Sequence, residues 1–144
     1  MKYLNILLAI LLLSTVSCKA DDQLLFEDMA SIASSGNPEA QYHLGMFYNN
    51  GIGTSKNIRK AFESFQKSSD GGEPLGSYKV GCYYSGQGEG VVEKDQEKAL
   101  KYKLIAAEAS YVRAQQDVAA HYFNNNDFKV AISWWEKAAT QGYP

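Results

Sequence analysis

The residue types that carry most enzyme chemistry are sparse in this 144-residue chain. Its two histidines, His43 and His121, stand far apart, and neither opens an HxxxH or HExxH pair. A zinc site assembled on one helix face is therefore not expected. No G-x-S-x-G elbow is present to hold an activated serine. Of the two cysteines, Cys18 falls in an apolar leader and Cys82 stands alone, so no disulfide framework is implied. No basic cluster flanks Cys82 to lower its thiol pKa, so it reads as a small, partly buried hydrophobe. Gly86, Gly88 and Gly90 alternate as a phosphate cradle might, but the GKS or GKT of a P-loop is missing. A tolerant loop is the simpler reading. The acidic pairs Asp21-Asp22 and Glu27-Asp28 read as solvated charges that suit a helix N-terminus.

What the chain does carry is aromatic surface. Ten tyrosines stand in it, several at regular intervals. Ala40, Leu44, Gly45 and Tyr48 return as Gly76, Val80, Gly81 and Tyr84, then as Ala114, Val118, Ala119 and Tyr122. The shifts are 36 and 38 residues. A second half follows each time: Ala61-Phe62, Ala99-Leu100 and Ala131-Ile132. Periods of this length belong to stacked helical units, each unable to bury its apolar face alone.

The elements that must position those aromatics follow from spacing. Ala40, Leu44 and Tyr48 lie at i, i+4 and i+8, one stripe of a helix. Gly45, Gly81 and Ala119 keep a neighbouring slot small, which marks a close approach by a second helix. That second helix starts at an N-cap column of Asn57, Asp95 and Asp127. It stops at Gly36, Gly72 and Gly142, with Ser110 a poorer stop in the same column. Pro38, Pro74 and Pro144 follow two residues later and prevent continuation. The loops between paired helices differ: Gly51 and Gly53 in the first, a glycine-rich Ser85 to Lys94 in the second, and Asn124-Asn125-Asn126 in the third. Tyr48, Tyr84 and Tyr122 are expected to pack, as is one ring of Trp134-Trp135.

Residues 1–20 read as a secretory signal, with Lys2 as the positive region and an apolar run from Leu4 to Leu13. It is too short to span a bilayer comfortably. Cleavage after Ala20 gives a soluble exported product and is the favoured reading. The competing reading is a bacterial lipobox, Thr15 to Cys18, with Cys18 lipidated; Lys19 then points to an outer membrane. Loss of residues 1–20 leaves 12 basic and 16 acidic residues, a balance of −4 that implies no nucleic-acid footprint. Residues 21–36 form half a unit, an amphipathic capping helix that buries Leu25, Met29, Ile32 and Ala33. Units follow at 37–73, 74–111 and 112–144.

The pattern A-Q-Y-x-L-G-x-x-Y-x-N-G-x-G, then N-x-x-K-A-F and K-x-x-x-G-G, resembles the Sel-one-like repeat, a cousin of the tetratricopeptide repeat. Ala40, Tyr42, Leu44, Gly45, Tyr48, Gly51, Gly53 and Asn57 carry it in the first unit. Gly81, Tyr84, Asp95 and Ala99 carry it in the second, and Ala114, Tyr122, Asp127 and Ala131 in the third, which lacks the glycine loop. The resemblance implies an all-α, right-handed α-solenoid that binds other proteins on its concave face, without cofactor or catalysis. A cysteine-rich branch of that family is linked to penicillin binding and weak β-lactamase activity, but it carries paired cysteines in each repeat that this chain lacks. The expected function is an interaction module of the bacterial envelope. A cell-wall or β-lactam-directed hydrolase and an inhibitor or immunity-type protein are the alternatives. The partner-facing column is expected at Tyr42, Tyr78 and Gln116, with Met46, Asn49 and Cys82 nearby. An uncovered face on the last unit would favour self-association.

Overall fold

The computed structural model describes residues 19–142, all of whose regular structure is helical. Cys18 and the leader lie outside the described residues, as do Tyr143 and Pro144. Helix α1 occupies 19–34. Three hairpins follow: α2 (Pro38–Asn50) with α3 (Ile58–Asp70), α4 (Pro74–Cys82) with α5 (Gln96–Glu108), and α6 (Val112–Asn124) with α7 (Phe128–Ala139). Each helix packs on the next in chain order, and α2 also meets α4. This is the α-solenoid, in which a unit leans on its neighbours rather than on one central core.

The termini of the helices are where the sequence specified them. Asn57, Asp95 and Asp127 cap α3, α5 and α7, each side chain accepting from the backbone N–H three residues on. Gly36, Gly72 and Gly142 take φ of 88°, 89° and 80°. Ser110, in the same column, is forced into the left-handed region at φ 67°, where a Cβ is strained. Pro38 and Pro74 do more than block a helix: each sits in the first turn of the next one, where a missing N–H costs nothing.

The three loops differ in length but close in one way. The backbone N–H of Asn57 donates to Tyr48 O at 2.8 Å, that of Asp95 to Tyr84 O at 3.0 Å, and that of Asp127 to Tyr122 O at 2.9 Å. The N-cap residue is thereby tied to the repeated tyrosine, and the intervening residues loop out freely. In the second unit α4 runs on into a π-helical turn, Tyr83–Gln87, and Gly86 at φ 128° lets the chain leave it. The glycine-rich loop is therefore shorter in its irregular part than the sequence reading supposed.

Two apolar clusters run along the stack. The first holds Ala61, Phe62, Phe65, Val80 and Tyr83, with Tyr48 and Tyr84 packed at its edge. The second holds Tyr78, Cys82, Ala106, Ala114, Val118 and Trp134, with Tyr122 at its edge. Helix α4 belongs to both, giving Val80 and Tyr83 to one and Tyr78 and Cys82 to the other. The small slot has its expected cause: a Cβ on Gly45 would stand 2.5 Å from the Phe65 ring, and one on Gly81 2.8 Å from Lys103 Cγ. Trp134 is buried and Trp135 half-exposed.

Helix α1 corrects the sequence reading in register. Ala33 is buried, but Leu25 and Ile32 are both 50% exposed. The inner face instead runs through Phe26, whose ring meets Tyr48 edge-on at 5.3 Å and Phe47 at 6.4 Å. Leu25 and Ile32 lie at the spacing of Ala61 and Ser68, which neighbouring helices bury in the next unit. Among the described residues no helix fills that place on α1.

Candidate functional site

The partner-facing column divides on burial. Tyr78 and Cys82 are buried at 8% and 6% exposure, inside the second cluster. Tyr42, Met46, Asn49 and Gln116 are partly exposed. Asn49 is already engaged, since its Oδ1 accepts from the Tyr83 hydroxyl at 3.0 Å and so joins α2 to the end of α4. Met46 leans on the first cluster. Tyr42 tilts against Phe65 at 6.0 Å and sits edge-on to His43 at 5.1 Å. The side chains of this column left open to a partner are Tyr42, Met46 and Gln116.

A polar network crosses the column that the repeat pattern did not announce. Lys103 Nζ lies 2.8 Å from Asp117 Oδ2, with the ammonium side chain only 17% exposed. The Tyr78 hydroxyl donates to the same carboxylate oxygen at 3.4 Å. The Tyr78 ring meets Tyr111 edge-on at 5.0 Å. Burial raises the Tyr78 phenol pKa well above its ordinary value, with Cys82 and Asp117 adding to the effect. Burial also raises the Cys82 thiol, and Lys103 only partly offsets it. The thiol therefore stays protonated at neutral pH, which suits packing rather than nucleophilic attack. Tyr42 is raised too, first by burial and then by nearby Tyr111 and Glu73. Residues from all three units thus act on one another across this face. The repeat register marks Lys103 only as a departure, in the slot that Phe65 fills one unit earlier, and does not name its partner.

A cleft of about 330 Å³ opens beside the network, lined in part by Ser85, Gln96, Lys103, Asp117 and His121. It lies between α5 and α6 at the end of α4. Two buried glutamines form the other recurring polar device. Gln41 Nε2 donates to Ala33 O at 2.7 Å, and Gln115 Nε2 to Ala107 O at 3.1 Å. Each amide satisfies a carbonyl in the last turn of the preceding helix and fixes the angle between units. Ser77 holds the equivalent place in the second unit and meets Ser69 at 2.8 Å.

One spacing associated with acyl transfer does occur, Ser64-Phe65-Gln66-Lys67 on α3. Ser64 is buried and lies in mid-helix, where the surrounding N–H groups are committed to helical bonds. No pair of free N–H donors is left there to stabilise an oxyanion. Among the described residues no three His, Cys, Asp or Glu side chains gather as a metal site would require. No described helix is long and apolar enough to cross a membrane.

The Sel1 repeat model matches residues 38–73, 74–111 and 125–143. The chain belongs to the Sel1 repeat family. Its match in the third unit begins only at 125, after the first helix, where the glycine loop is missing. Repeats of this family generally build protein-interaction surfaces rather than active sites. The chain is 30% identical over 114 residues to chitin synthase regulatory factor 3 of Schizosaccharomyces pombe, covering 74% of this chain and 12% of that protein. It resembles a Sel1 repeat protein of Oxalobacter formigenes at TM-score 0.74 and 23% identity, covering 84% of this chain and 50% of the other. It also resembles c5321, a protective antigen present in uropathogenic Escherichia coli strains and displaying an SLR fold. There the TM-score is 0.54 and the identity 25%, covering 85% and 34% of the two chains. The chain thus spans half or less of the length of these relatives.

Proposed function

We propose that this Sel1 repeat protein is an exported, non-enzymatic docking module of the bacterial envelope. Its partner is a protein that lies along the face bearing Tyr42, Met46 and Gln116. The observation that carries the reading is the convergence of side chains from three successive units on one face. Partly exposed aromatic and amide groups held by a rigid stack suit a protein contact, since little ordering entropy is lost on binding. The Lys103–Asp117 pair adds a polar mark on that face. The leader supports export. The name of the fission-yeast relative, a regulatory factor for a synthase, suits a protein that acts by docking. The antigen's description suits an exported one.

The test is site-specific photo-crosslinking in intact cells. A photoreactive residue at Gln116 or Tyr42 is expected to give a discrete adduct, and one at Lys101, exposed on α5, is not. Equal labelling from Lys101 would overturn the choice of face. The mature N-terminus, read by mass spectrometry, is expected at Asp21 or at a lipidated Cys18. An intact Met1 in the cytoplasmic fraction would overturn export.

A further inference from the structure

The junction between the second and third hairpins breaks a rule that the first junction keeps. Between α3 and the end of α4 the space is filled by rings. Tyr83 stacks on Phe62 at 5.3 Å and meets Phe65 edge-on at 5.8 Å, and all three are buried. By the repeat register, Leu100, Lys103 and His121 hold the places of Phe62, Phe65 and Tyr83 between α5 and α6. The rings have given way to the open cleft of about 330 Å³. Setting an ammonium between helices costs desolvation free energy that a ring in the same slot does not. A junction needing only cohesion would keep the ring, and departures of this kind mark functional positions.

Lys103 is held in place. Its stem lies over Gly81, where a Cβ would come within 2.8 Å of Lys103 Cγ. Its ammonium side chain is 17% exposed and lies 2.8 Å from Asp117 Oδ2. An ammonium has three N–H donors, so two remain for a ligand. Gln96 and Asn124, one from each wall of the cleft, make no side-chain hydrogen bond among the described residues. Asp117 is the one acid among the described lining residues. Lys79 and Arg113 also act on this spot, since their charges reach the Cys82 thiol and the Tyr78 phenol. Three cations thus face one carboxylate, in a chain whose formal net charge is −2. That local excess draws an anion. Gln116, beside Asp117, belongs to the face along which the partner is proposed to lie. A chain on that face passes the cleft and can drop a side chain into it, and a glutamate is the longer acid for a recessed ammonium. We propose that the cleft anchors a glutamate side chain of the docked protein, with Lys103 as its charge partner and the Gln96 and Asn124 amides as further donors. The inference rests on the docking reading above.

A probe that needs no partner tests it. N-acetyl-glutamic acid α-methylamide, titrated into the 15N-labelled protein, is expected to shift the backbone amides of Lys103 and His121 saturably, with a Kd of the order of 10 mM or tighter, as suits one anchoring group. The glutamine analogue, which lacks the charge, is expected to leave them in place. Lys103→Met keeps a stem over Gly81 and is expected to abolish the response, with the dispersion of the spectrum showing that the variant is folded. Asp117→Asn removes the competing carboxylate and is expected to tighten binding by up to about fivefold, the worth of one partly exposed charge pair; a purely structural ion pair predicts no such gain. No saturable shift up to about 100 mM overturns the inference. So does an equal response to the glutamine analogue, or one that survives Lys103→Met. Tighter binding of N-acetylglycine overturns the side chain in favour of a chain end, and tighter binding of inorganic phosphate overturns the carboxylate. These titrations report on the cleft alone, whereas crosslinking from Tyr42 and Gln116 reports on the face, so failure of one is distinguishable from failure of the other.

Discussion

Gly45 and Tyr83 show what single residues contribute to this stack. At Gly45 the constraint is space: a Cβ meets the Phe65 ring, which has zero exposure and cannot retreat. Overpacking of that kind costs about 1–3 kcal/mol, against roughly 1 kcal/mol recovered in helix propensity. Gly45→Ala is therefore expected to lower the urea midpoint with an unchanged slope. At Tyr83 the constraint is solvation. Burial pushes its phenol pKa up to about 12 from 10.0, because the anion loses its water. The neutral form is the folded one, so this contribution is complete below pH 10 and is lost as pH rises from about 10 to 12. Tyr83→Phe is expected to flatten the decline of stability in that window. It also costs about 1 kcal/mol at neutral pH, through loss of the bond to Asn49. Urea titrations at pH 7 and pH 11 read both effects. Some decline persists in the variant, because Tyr78 is raised in the same direction.

At the scale of elements, the hairpin is set locally and the angle between hairpins is not. Each hairpin closes through one bond from N-cap to tyrosine carbonyl, which is why loops of unequal length give the same turn. The angle between units depends on Gln41, Ser77 and Gln115, which reach back to the helix before them. Gln115→Met keeps the volume but removes the amide's bonds to the Ala107 carbonyl and to the Gln141 amide, and the Ala107 carbonyl keeps its bond from the Ser110 N–H, so the cost is about 1 kcal/mol. Hydrogen exchange is expected to quicken at the α5–α6 junction. Unchanged exchange there would mean that apolar packing alone sets the angle. Ser110, held at positive φ in that junction, is a place to gain stability: Ser110→Gly relieves the strain and is expected to raise the melting temperature.

The whole molecule has two cores in series, and α4 joins them. Stability in such a stack is a sum of unit and neighbour terms. Damage to one core is therefore expected to open that end first. Val118 has zero exposure in the second cluster. Val118→Ala is expected to cost about 1–3 kcal/mol and to raise hydrogen exchange across α6 and α7 while α2 and α3 keep their protection. Uniform loss of protection along the chain would instead mean one cooperative unit.

The chain by itself determined its hairpins, its caps and its close-packed slots. Those features depend on residues within one period: an Asn or Asp before a stripe, a glycine where φ is positive, a small residue where helices touch. Three repetitions made each signal legible. The fate of an individual side chain was decided only when units met. Tyr78 read as partner-facing beside Tyr42, with a partly buried Cys82 nearby, yet α4 turns both into the second core. Leu25 and Ile32 read with Ala33 as the buried stripe of α1, yet of these only Ala33 is buried and Phe26 turns inward instead, because the face a helix buries depends on what lies beside it. The Lys103–Asp117 pair and the Asn49–Tyr83 bond join residues 14 and 34 apart in sequence, and neither follows from periodicity. Local pattern sets which way a helix is amphipathic. Only the packing of one unit on another decides which of its polar atoms find partners and which of its apolar ones stay in water.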